Sequence, residues 1–286
     1  MELLVGTVSG ATTLAGETLV EDERINHVIS HDDSWWAVDV SGRIFQNGDV
    51  VARMPTDVTA HCVRPTDQTT WLGADKARLF ALEENALTED EFFANAPDRD
   101  KWYTPWGAPA DVRSMAVDAD HTLYVNVHVG GVLRYDNTGV VPTIDIHSDV
   151  HQVAAHPNLS GAIFAPCAFG LAASHNGHDF DIRSDGLHAS YCRAVVVLED
   201  QVIVSASTGP RSNRARLYRG ELWSGTFEPL TKGLPEWFEA NLNTHCLVAR
   251  EGTIYAGQGD TVWGSDDDGA TWDVAGSGLP EITCLG

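Results

Sequence analysis

The stretch GSDDDGATWDVAGSGLP, from Gly264 to Pro280, sets three consecutive aspartates before Gly-Ala-Thr-Trp. Such residues suit a calcium loop, an acidic catalytic cluster or a tight turn. A calcium loop needs acidic ligands at alternate positions running on to a distal glutamate, a pattern that DDDGATW does not continue. Aspartate and glycine between short apolar runs are equally the chemistry of a hairpin turn. The surrounding sequence decides between them.

The stretch closes a longer segment, His245 to Gly276, that alternates short apolar runs with Gly- and Asp-rich breaks: strand, turn, strand, turn, strand, turn, strand. The same frame fits Asn26–Met54, His61–Phe93, Val112–Asp145, His151–Ile182 and Arg193–Leu230, making six copies. The chain opens with MELLVGTVSGATTL, which matches a second and third strand with no first strand before it, and closes with LPEITCLG, a first strand alone. Together these make a seventh copy. Seven copies in 286 residues give about 41 residues each, the size of one four-stranded propeller blade. The expectation is one all-β domain over residues 1–286, a seven-bladed β-propeller closed by a blade shared between the chain ends. Closure removes the open sheet edge that would invite aggregation.

In this frame SDDDGATW, Ser265 to Trp272, falls on the hairpin between the third and fourth strands. It matches the eight-residue Asp-box S-x-D-x-G-x-T-W in full and resembles the BNR-repeat propellers. Its physics is structural: Asp267 can accept hydrogen bonds from turn amides, Gly269 supplies a backbone angle closed to other residues, and Ser265, Thr271 and Trp272 complete the turn, with the indole packing between blades. SHNGHDF from Ser174 is a copy with one residue deleted, and SGTF from Ser224 is a fainter trace. The resemblance takes in sialidases, other glycosidases, sortilin-like receptors and photosystem assembly factors, so it leaves function open. The F/Y-R-I-P motif expected of a sialidase is absent, and sialidase chemistry is not carried over.

Charge narrows the choice of partners. With 18 basic and 41 acidic side chains the net charge is -23, which repels nucleic acid and anionic membranes. There are only three lysines, Lys76, Lys101 and Lys232, and aspartate outnumbers glutamate. This resembles the composition of halophilic archaeal proteins, whose carboxylate surfaces stay hydrated in molar salt where charges are screened within about 3 Å. Glu2 stands where a secretory leader would carry a basic residue, and no apolar run is long enough for a membrane helix. A cytoplasmic monomer is expected. The five cysteines, Cys62, Cys167, Cys192, Cys246 and Cys284, form no C-x-x-C pair and read as small core residues.

Aligning the copies exposes one column. The residue opening each innermost strand is His27, His61, Arg113, His151, Arg193, His245 and, in the shared blade, Thr283, at spacings of 34, 52, 38, 42, 52 and 38 residues. Innermost strands line a propeller's channel, so their first residues are expected at its mouth. A ring of imidazoles and guanidiniums in so acidic a protein would attract a small anionic ligand, with Arg113 and Arg193 matching a carboxylate or phosphate best. The longest loops lead to the same mouth and bring Trp102, Tyr103, Trp106, Arg211, Arg214, Trp237 and Phe238.

Two classes of function follow. One is a non-catalytic propeller that binds a small anion or a protein partner. It is favoured because no nucleophile and base can be placed together. The alternative is a lyase or hydrolase on an acidic sugar, resembling the seven-bladed lyases that hold a metal through channel histidines. In that reading His27, His61, His151 and His245 hold a divalent metal that polarises the substrate carboxylate. Candidates for its acid and base are weak: His128 at the end of a second strand, and His31, Asp32 and Asp33 on the opposite face.

Overall fold

A computed structural model describes residues 2–104, 106–136 and 139–286. Its strands form seven four-stranded sheets, antiparallel throughout and in chain order, as in Ile25–His31, Ser34–Asp39, Arg43–Gln46 and Asp49–Arg53. The seventh joins Ile282–Leu285 to Leu4–Thr7, Gly10–Thr13 and Thr18–Glu21. Val5 faces Leu285 there, Gly6 faces Cys284, and Leu4 and Gly286 exchange backbone hydrogen bonds of 2.9 and 3.0 Å. The protein is a seven-bladed β-propeller. The one α-helix among the described residues is the single turn Glu91–Ala94, whose Phe93 N–H donates to the Asp90 side chain.

Sheets this small cannot bury both faces alone, and the buried side chains collect in seven clusters, each spanning two neighbouring blades. Leu72 and Phe80 thus share a cluster with Val38 and Ile44 of the preceding blade. Stability is therefore spread around the ring. Neighbours approach so closely that a Cβ at Gly73 would stand 2.3 Å from a Val112 methyl. All five cysteines are buried and unpaired within these interfaces.

The Asp267 carboxylate organises the Ser265–Trp272 turn. It accepts from the Ser265 hydroxyl at 2.9 Å, the Thr271 N–H at 2.8 Å and the Thr271 hydroxyl at 2.6 Å. The Thr271 hydrogen bonds, led by that of its side chain, hold the carboxyl down at about 2. Gly269 sits at φ 83°, where side chains are disfavoured. The Trp272 indole N–H donates to the Gly269 carbonyl at 3.0 Å, and its ring is buried among Ile203, Leu230 and Leu234. In the shortened copy Asn176 substitutes for the aspartate: its Oδ1 accepts from the N–H groups of His178 and Asp179, both at 2.9 Å. Phe227 of the SGTF trace is buried, and its N–H donates to the Asp185 carbonyl as that of Trp272 donates to Lys232.

Candidate functional site

The starts of the inner strands do converge, but at two depths. A cavity of about 860 Å³ at the mouth is lined by Trp106, Arg113, His128, Asp149, Tyr191, Arg193 and the Thr208–Ser212 loop, which includes Arg211. A second cavity, of about 770 Å³, opens toward the far ends of the inner strands and takes in His27, Arg64 and His245.

Local backbone explains each placement at the mouth. The strand Leu123–Val127 ends in a tight turn, with Val129 at φ 54° and the Gly130 N–H donating to the Val127 carbonyl at 2.8 Å. This leaves His128 at the rim, its own N–H held by the Asp111 carbonyl at 2.9 Å. One blade on, the 3-10 turn Ile146–Ser148 is capped by Asp145 and ends at Asp149 in a left-handed conformation, φ 52°. His151 follows, its N–H donating to the Pro166 carbonyl at 2.9 Å. His128 Nε2 then lies 3.0 Å from Asp149 Oδ1, and His151 Nε2 lies 3.6 Å from Asp149 Oδ2. Burial pushes the Asp149 carboxyl up, but hydrogen bonds and charge from the flanking imidazoles in their protonated form outweigh it and hold it below the usual carboxylate range. Burial likewise lowers His128, against the pull of Asp149.

The arginines stand beside this group. The nearest carboxylate oxygen to Arg113 is on Asp111, at 3.9 Å, too far for a hydrogen bond. Burial, with Arg193 alongside, lowers its pKa from the usual value although Asp111 and Asp149 oppose this; a guanidinium still stays charged. Arg193 is oriented by the Asn243 side-chain oxygen and lies over the Tyr191 ring at 5.5 Å, while its Nε is buried without a partner among the described residues.

The remaining predicted residues divide. His61 is close to the rim but engaged, with Nε2 2.7 Å from Asp75 Oδ1. Tyr103 and Trp106 are exposed, and Trp106 stacks 5.2 Å from His128. Trp102 packs near Phe93 beneath Arg99, and Trp237 lies under Arg214 and Arg216 at 4.5 and 4.1 Å. These two act as loop anchors. Phe238 is buried and bridges to Ala215. The Thr283 hydroxyl donates to the Ile25 carbonyl at 2.6 Å, tying adjacent blades. His31 lies 3.6 Å from Asp32 and 4.0 Å from Asp67 on the opposite face.

The four channel histidines expected to share a metal are not brought to one point. His245 does not open its strand, which begins at Leu247; it adopts φ 65° in a turn closed by the Cys246 N–H to Asn243 carbonyl hydrogen bond. That turn carries its ring across the channel, where it stacks on His27 at 3.8 Å and donates from Nε2 to the Arg113 carbonyl at 3.2 Å. His151 instead joins His128 and Asp149. Sequence reasoning missed Asp149 and Tyr191, and ranked His128 as weak. The signal available was the pair Asp149-x-His151 at a blade entrance.

No family model matches the sequence, and no curated protein matches it at a significant level. Similar solved structures are of low identity. The extracellular domain of a protein described as a hybrid two-component system from B. thetaiotaomicron is 13% identical with a TM-score of 0.63, covering 88% of this chain. The chain spans 36% of the length of that structure. Virginiamycin B lyase from Staphylococcus aureus is 10% identical with a TM-score of 0.62, over 88% of this chain and 84% of the lyase. The WD40 propeller domain of Doa1 is 13% identical with a TM-score of 0.62, over 95% and 83% of the two chains. At such identities the likeness concerns the fold alone.

Proposed function

We propose that the protein is a non-catalytic propeller that binds a small anionic ligand, a carboxylate or phosphate, in the mouth cavity. The observation that carries this reading is the pair Arg113 and Arg193: two guanidiniums line one cavity, and neither has a carboxylate within hydrogen-bonding distance. An anion between them would meet forked donors in a partly desolvated site, where such contacts are strong. Arg211 adds charge on the facing loop, and Trp106 and Tyr191 offer ring faces to an apolar or sugar-like body. The acidic exterior, net charge -23, would repel the same anion everywhere else. That composition also supports a cytoplasmic protein of a salt-rich cell, whose Tm should rise with KCl as carboxylate repulsion is screened.

The test is calorimetric titration of the full chain with inorganic phosphate and with glucuronate. At least one should bind, and Arg113→Ala should weaken it roughly 10- to 100-fold, the effect of one charge-assisted contact worth about 1.5–3 kcal/mol. Binding of neither probe, or binding as tight as wild type by both Arg113→Ala and Arg193→Ala, would overturn the reading. A protein partner at the same mouth would then take its place.

A further inference from the structure

Beside the arginines, three side chains converge in a way that hydrogen bonding leaves unexplained. The His151 Nδ1–H donates to the Cys192 carbonyl at 2.7 Å. Since a carbonyl only accepts, the neutral ring carries its lone pair on Nε2. That atom is buried, has no hydrogen-bond partner among the described residues and faces Asp149 Oδ2 at 3.6 Å. Two electron-rich atoms are thus turned toward each other. On the other side His128 Nε2 comes within 3.0 Å of Asp149 Oδ1, yet among the described residues that oxygen has no hydrogen-bond donor in line with it, and His128 Nδ1 is also unpartnered. Both histidines are 3% exposed, so water does not readily settle these atoms, and an unmet buried polar group is costly.

A proton on His151 Nε2 would satisfy that contact alone. A cation would be shared by both rings and the carboxylate. The three ligand atoms lie within 4.8 Å of one another, and ligands about 2.0–2.2 Å from a metal stand about 3.0 Å apart at right angles and about 3.4 Å apart in a tetrahedron. The contacts of 3.0 Å to Asp149 Oδ1 and 3.6 Å to Asp149 Oδ2 lie near this spacing, one imidazole on each carboxylate oxygen. The His151 hydrogen bond to Cys192 aims its free nitrogen inward, as the outer partners of metal-bound histidines do.

We propose that His128, Asp149 and His151 form a binding site for a divalent first-row transition metal, with its remaining positions open to the mouth cavity. Two imidazoles and one carboxylate suit manganese, iron, cobalt or zinc, whereas magnesium and calcium prefer oxygen ligands. The two other histidine–carboxylate groups differ: His61 already bonds Asp75 at 2.7 Å, and His31 groups with the exposed Asp32 and Asp67. The site stands independently of the anion reading. If both hold, the metal would sit beside Arg113 and Arg193 and could take a ligand's carboxylate directly.

The test uses the tag-free full chain, stripped of metal by a chelator and titrated with cobalt chloride, without added anionic ligand and in excess magnesium to occupy surface carboxylates. One cobalt per chain should bind, seen calorimetrically and as visible d–d absorption. Asp149→Asn should weaken it by more than about tenfold, since it removes a ligand charge while keeping a residue type that tolerates the left-handed backbone. His128→Gln should do the same, and serves if the first variant fails to fold by near-UV circular dichroism. His31→Gln should bind as wild type does. Absence of saturable cobalt binding, binding that survives in a folded variant of either ligand, or loss in His61→Gln alone would overturn the proposal.

Discussion

Two pairs of histidines mark the channel, and they differ in what they lack. His27 and His245 stack across it at 3.8 Å, and each has a backbone partner: His27 Nδ1 accepts from the Val63 N–H at 3.1 Å and His245 Nε2 donates to the Arg113 carbonyl at 3.2 Å. His128 and His151, toward the mouth, turn Nε2 toward one carboxylate, and among the described residues His128 Nδ1 and His151 Nε2 are buried without a hydrogen-bond partner. The first pair is a clasp between blades. The second is an unfinished coordination. The same repeat column supplied both members of the first pair and one of the second, so column membership identifies the channel, and only partnership separates structure from site.

Acid should break the comparison most strongly. Burial holds His245 down at about 4 from 6.5, and burial, with His245 beside it, lowers His27 well below the usual value. Because these folded pKa values lie below the unfolded value, unfolding takes up protons, and stability is lost as pH falls from about 6.5 toward 4. The loss at His245 alone is roughly 3 kcal/mol by linkage. His128 and His188 are lowered too, so the measurement is the difference in urea unfolding between wild type and His245→Gln at pH 7 and pH 5. The variant should show a shallower pH dependence; equal slopes would remove the clasp's share.

At pH 7 His245→Ala should cost about 2 kcal/mol, since it leaves the Arg113 carbonyl without its donor and opens space against His27. The matching change at the mouth should be smaller. Asp149→Asn is expected within about 1 kcal/mol of wild type in metal-free urea unfolding, because it removes a carboxylate facing a lone pair. A large cost there would mean that the mouth cluster is itself structural.

Much of the architecture was legible because blades repeat. Ser265–Trp272 marks a third hairpin, and once that hairpin is placed the other strands fall into frame, including the shared blade built from Leu4–Thr7 and Ile282–Leu285. The turn also shows what drift preserves: Asn176 accepts backbone hydrogen bonds where Asp267 does, and Phe227 is buried as Trp272 is. The site was only half legible. Arg113, Arg193, Trp106 and Arg211 do reach one cavity, since strand starts and long loops share an end of the propeller. His245 was misplaced because its turn at φ 65° carries the side chain along the channel, which a strand register cannot foretell. Asp149 was missed because a one-residue column ignores neighbours, and its partner His128 lies just past the second strand of the preceding blade, 21 residues earlier in the chain.

The most direct test of the mouth as the functional end is a crystal of the full chain soaked with cobalt chloride and sodium phosphate, with anomalous data at the cobalt edge. The account predicts one strong peak among His128, Asp149 and His151, and phosphate density against Arg113 and Arg193. Cobalt bound between His27 and His245, or a mouth empty of both at full soak, would contradict it.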